Sequence, residues 1–157
     1  MNLIAAILIL GASVSSEFTG TPSPGHLIAD RMGAEYRIEA RALSSLADHL
    51  PVKGLKEAPL VICIDCMFWH STDADCKPGL SALKTLFDER QGKPLIIATV
   101  PTIWFGQNCI GPINNVIESR CTDHCILVKL EGDLLPPDLH PDEEFMKKVV
   151  KHIYNRE

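Results

Sequence analysis

The chain has 157 residues, is 46% hydrophobic and 22% charged, and carries a formal net charge of −5. That length predicts one domain, 1–157, able to bury a core without metal or disulfide. The balance excludes a disordered chain and a multi-span membrane protein, and Lys and Arg scattered through an acidic total exclude a phosphate-tracking basic stripe, so no nucleic-acid partner is expected.

Apolar runs and helical patterns alternate along the chain. The opening "LIAAILIL" is a short β-compatible run that ends at Gly11. It also reads as the apolar part of a secretory leader with "VSS" as a cleavage site, although no Lys or Arg precedes Arg31 to form a positive n-region. "SPGHLIADRMG" predicts a helix from Pro24, with Leu27, Ile28 and Met32 on one face and Gly33 as its stop. "YRIEARAL" alternates, as a strand near a sheet edge does. "APLVICID" is continuously apolar, as expected of a strand covered on both faces. "KPGLSALKTLFDERQG" places Leu80, Leu83, Leu86 and Phe87 at helical spacing, and "KPLIIATVP" is a further buried strand stopped by Pro101. "GPINNVIESRC" is a short helix, "CILVKL" a fifth strand, and "HPDEEFMKKVVKHIYNRE" a closing helix with Phe145, Met146, Val149, Val150 and Ile153 in one stripe. Asp142 is its expected N-cap, with acidic residues in the first turn and lysines later, as the helix dipole favours.

Five strands separated by helical segments predict an α/β domain with a mainly parallel sheet and helices on both faces. In such sheets, sites gather beyond the carboxyl ends of the strands, at the switch point of the strand order. That rule selects Gly11–Phe18, Leu43–Ser45, Cys66–Ser71, Thr102–Asn108 and Glu131–Pro141. Cleaving a leader near Ser16 would take a strand from this sheet, so a cytoplasmic location is expected, with export as the alternative if the segment is a leader.

Two loops on that rim carry complementary chemistry. Ser13 follows the first strand behind Gly11, where a sharp turn exposes a nucleophile, and His140 lies in the last loop, stiffened by prolines, as a general base. Asp138 is placed to hold the imidazole tautomer, with Asp133 a weaker substitute. Phe68 with Trp69, and Trp104 with Phe105, form either core packing or an apolar wall for an acyl group. The six cysteines are expected to be mostly reduced packing residues. A rival reading makes Cys63, Cys66 and His70, or Cys121, His124 and Cys125, zinc ligands. Against it, odd spacing on a strand points Cys63 and Cys66 to opposite faces.

Read in order, these blocks resemble the SGNH, or GDSL-type, serine esterases and lipases. "ILILGASVSS" is similar to that family's first block, with Ser13 at the nucleophile position; "YRIEARALSS" to the second, with Ser45 where an oxyanion-hole N–H is expected; "PLVICIDCMFWHS" to the third; and "PPDLHPDEEF" to the last, with His140 as base. The resemblance implies a three-layer α/β/α sandwich of flavodoxin-like type, with a five-stranded parallel sheet in order 2-1-3-4-5. The chain departs from the family's pattern at four places. Ala12 replaces an Asp that supports the turn, and Ser45 replaces a Gly. Phe68 falls near the place of an oxyanion Asn, whose loss weakens transition-state stabilisation by about 3 kcal/mol unless Asn108 substitutes. Pro137 occupies the usual position of the acid, one residue before Asp138. The implied activity is hydrolysis of a small or lipid-like ester through an acyl-enzyme on Ser13, without metal or organic cofactor. The alternative is a non-catalytic binding domain of the same fold.

Overall fold

The computed structural model describes residues 6–17, 20–101, 108–130 and 143–154, with Ser13 and Phe145 described in backbone only. Continuously apolar segments form the three inner strands and one edge, Cys125–Val128, while the alternating segment forms the other edge. In chain order the strands are β1 (Ile7–Gly11), β2 (Tyr36–Ala40), β3 (Val61–Cys63), β4 (Leu95–Ala98) and β5 (Cys125–Val128). They make one sheet in order β2-β1-β3-β4-β5, and every pairing is parallel. Ile9 pairs with Ile38 of β2 on one side and with Ile62 of β3 on the other, so β1 lies inside the sheet and all five of its residues are buried.

Among the described residues six α-helices accompany the strands: α1 (Ser13–Ser16), α2 (Pro24–Met32), α3 (Leu46–His49), α4 (Lys77–Glu89), α5 (Ile110–Arg120) and α6 (Glu143–Tyr154). α2 packs on α6, while α3 and α5 both pack on α4, which gives the two helical layers of an α/β/α sandwich. The α2 boundaries follow from local chemistry. Ser23 Oγ accepts from the His26 N–H at one end, and Gly33 at φ 63° takes the left-handed cap at the other. In α6, Met146, Val149, Val150 and Ile153 are buried as the stripe predicted. The Asp142 cap lies outside the described residues.

The cysteines correct the sequence reading. None of the six is a free thiol: Cys63 pairs with Cys66, Cys76 with Cys109, and Cys121 with Cys125. The opposite-faces argument fails because β3 stops at Cys63, and the bend at residues 64–65 brings Cys66 back beside it. The Cys76–Cys109 bridge ties the start of α4 to the start of α5 across 33 positions of sequence, on the rim where the strands end.

Peptide mapping without reduction should recover these three pairs and no alkylatable thiol. Replacing Cys76 and Cys109 together by Ser should cost about 4 kcal/mol in urea unfolding, the chain-entropy value for a loop of this length.

Candidate functional site

The sheet order places the switch point at the carboxyl end of β1, because the chain leaves β1 for β2 on one side and returns to β3 on the other. Gly11–Ala12–Ser13 turns there, and Ser13 is the first residue of α1. Ala12 gives that short helix no side-chain cap. The cap comes from the bend after β3 instead: Asp65 Oδ1 accepts from the Ala12 N–H at 3.0 Å, and Oδ2 accepts from the Val14 N–H at 2.8 Å. The Ser15 hydroxyl donates to Oδ1 at 2.7 Å. Ala12 therefore does not leave the turn unsupported; the carboxylate reaches it from the bend that follows the neighbouring strand β3.

Asp65 is 1% exposed, and among the described residues no cation pairs with it. Burial pushes its carboxyl above the ordinary carboxylate value, while the donors from Ala12, Ser15 and Val14 pull the other way. Gly11 makes the approach possible, because a Cβ at this position would overlap Asp65 Oδ1 and the Ser15 side chain. The Cys63–Cys66 bridge encloses Asp65 on both sides in sequence.

The β2–α3 loop forms the other wall. The Oγ of buried Ser44 lies within hydrogen-bond distance of the Gly11 carbonyl at 3.1 Å, the Arg41 carbonyl at 2.7 Å and His49 Nε2 at 2.8 Å. Desolvation first, and then the nearby Arg41 charge, push the His49 imidazole below its ordinary value. Ser44 thus links His49 to the turn at Gly11.

The structure sorts the other sequence candidates. Ser45 caps α3 in a capping box, and its N–H is donated to Asp48 Oδ2 at 2.8 Å. As an oxyanion donor it would have to give up or share that bond. Phe68 is 4% exposed and belongs to the hydrophobic core, so it forms no wall of an open cleft. Trp69 is half-buried against the same core. Asn108 is exposed, and its Nδ2 donates to the Asp73 carbonyl at 3.5 Å. His140, Asp138, Asp133, Trp104, Phe105 and the Ser13 side chain lie outside the described residues.

The zinc reading loses its ligands. Cys63, Cys66, Cys121 and Cys125 are disulfide sulfurs and have no thiolate to offer. Among the described residues no three His, Cys, Asp or Glu side chains converge as metal ligands do. His70 is a tie: Nε2 accepts from the Ala47 N–H at 3.1 Å, which leaves Nδ1 to donate to Asp73 Oδ2 at 2.9 Å. It thereby joins the β3–α4 loop to α3.

Asp65, Ser44 and His49 were not singled out in the sequence. A signal existed for Asp65, because a carboxylate directly after a continuously apolar strand is hard to place in solvent. Ser44 and His49 sit in "SSLADH", which reads only as a polar loop.

No protein-family model matches the chain, and no curated protein does. A solved structure matches in fold: a carbohydrate esterase family 3 protein from Talaromyces cellulolyticus, with a TM-score of 0.61 over 97% of this chain and 95% of that one, at 10% sequence identity. The five-stranded parallel order 2-1-3-4-5 with its flanking helices is thus an SGNH-type α/β fold.

Asp65→Ala strands three donors in a dry site and should destabilise the protein by about 3 kcal/mol or more. Gly11→Ala should also lower the melting temperature. Because the folded Asp65 holds its proton above the ordinary carboxylate value, its ionisation opposes folding as pH rises from that value to the raised one. Wild type should therefore gain stability relative to Asp65→Asn on acidification through that window, in paired urea titrations. A pH-independent difference would contradict the raised value.

Proposed function

We propose that this protein is a serine esterase, with Ser13 as nucleophile and an ester carried on a carbohydrate as the favoured substrate class. The observation that carries the reading is the buried Asp65 carboxylate, which fixes the turn bearing Ser13 at the switch point. Support for a hydrolase comes from the fold shared with a carbohydrate esterase, and the carbohydrate follows that neighbour alone. In the proposed reaction, Ser13 attacks the ester carbonyl while His140 takes its proton. His140 then returns the proton to the leaving alcohol, and water hydrolyses the acyl-enzyme. Asp138 orients His140, and the Ser13 N–H supplies oxyanion stabilisation, joined by Ser45 if it releases Asp48. The three bridges favour the exported alternative for location, since disulfides persist in oxidising compartments.

A second reading, a non-catalytic binding domain, is favoured by the committed donors: the Ser45 N–H on Asp48, and Asn108 on the Asp73 carbonyl. Hydrolysis of p-nitrophenyl acetate and of an acetylated xylan separates the two. Ser13→Ala should lower the rate by about a thousandfold or more, and a fluorophosphonate probe should label Ser13. Equal rates for wild type and variant would remove Ser13 as nucleophile, and an unlabelled, inactive wild type would leave the binding domain.

A further inference from the structure

The amino ends of β4 and β5, one sheet length from Ser13, hold a cavity of about 590 Å³ between the last turns of α4 and α5. Buried Phe87 and Leu95 contribute an apolar floor. Arg90, Lys93 and Arg120 contribute three cations to the lining, against one carboxylate, Asp123. In a chain of net charge −5 this is a local excess of positive charge.

Two of the cations, Arg90 and Lys93, are fixed but not neutralised. Arg90 is 2% exposed and donates to the carbonyls of Leu55, Ala58 and Pro94 at 2.7–2.9 Å. Its Nε is one of two buried side-chain nitrogen or oxygen atoms among the described residues with no partner. Lys93 Nζ donates to the Lys56 carbonyl. Carbonyls satisfy hydrogen bonds without cancelling charge. Arg120 does have a carboxylate, Asp88 at 3.0 Å, but Asp88 is shared with Lys84 at 2.8 Å. Arg120 also stands over the Phe87 ring, 5.3 Å from its centroid, so charge and apolar surface meet in one place.

We infer that this cavity binds a small organic anion, with an oxyanion group against Arg120 and Lys93 and an apolar or ring body against Phe87 and Leu95. The volume suits a ligand of that kind. A charge-assisted contact in a partly enclosed cavity is stronger than one on open surface. This site is separate from the esterase reading and stands without it.

Phenyl phosphate is the probe, followed by amide chemical shifts in the intact protein. Saturable shifts are expected at Gly92, Leu95, Thr122 and His124, and phenol should give none. Lys93→Gln with Arg120→Gln should weaken binding by about tenfold. Thr122→Glu, an exposed change on the rim that leaves the Arg120–Asp88 pair intact, should weaken it as well. Lys147→Gln with Lys151→Gln, which alters the separate basic groove between α2 and α6, should leave it unchanged. The inference is overturned if those amides do not shift saturably, if phenol binds as well, if Thr122→Glu has no effect, or if the α6 variant abolishes binding.

Discussion

One buried carboxylate governs the rim of this sheet. Removing Asp65 from water costs several kcal/mol, and no cation repays it among the described residues. What offsets the cost is the donor set from Ala12, Val14 and Ser15, all from the segment that turns out of β1. The dependence is mutual. The donors would be stranded without the carboxylate, and the carboxylate would be untenable without the donors. Each therefore fixes the other, and Ser13 is carried between two residues whose N–H groups are committed.

The neighbouring features are consequences of that contact. Gly11 is required because Asp65 and Ser15 occupy the space a side chain would take. β3 ends at Cys63, Asp65 in the bend that follows faces the turn out of β1, and the Cys63–Cys66 bridge closes that bend. From the other wall Ser44 holds the Gly11 carbonyl, so the turn is gripped through its N–H groups on one side and its C=O on the other. His70 and the Cys76–Cys109 bridge then tie the β3–α4 loop to α3 and α5. Rigidity of this kind preorganises a site, since a reacting group loses value when its support can yield.

The sheet was legible because its cause is local. Continuous apolar runs such as "LVIC" and "LIIA" need cover on both faces and the alternation of Tyr36–Ala40 marks an edge, whereas β5, an edge with the apolar run "CILV", is not told from the inner strands by composition. Ser13 at the end of β1 was legible for the same reason. The supports were not. Asp65 acts across about fifty residues of chain, and nothing in its neighbourhood states what it will bond. α1 and α3 have four residues each, too few to show a period. The disulfides depend on where β3 stops, which periodicity leaves loose by several residues. Phe68 reads as either core packing or an apolar wall because its position follows a strand, and it is buried in the core.

The commitments that stiffen the turn also restrict its chemistry. A developing oxyanion needs donors that are idle in the ground state. At the described rim, the N–H groups of Ala12 and Val14 are given to Asp65 and that of Ser45 to Asp48. The two kinds of commitment differ in strength. The Asp65 bonds are dry and cannot be exchanged for water without exposing a buried carboxylate, whereas the Ser45–Asp48 bond is exposed and costs little to open. Ser45 is therefore the donor a substrate could recruit, and Asp48 decides how readily. An esterase with this rim would hold its nucleophile firmly and complete its oxyanion hole on binding, whereas a binding domain would keep Ser45 capped and use the same stiff turn as a surface.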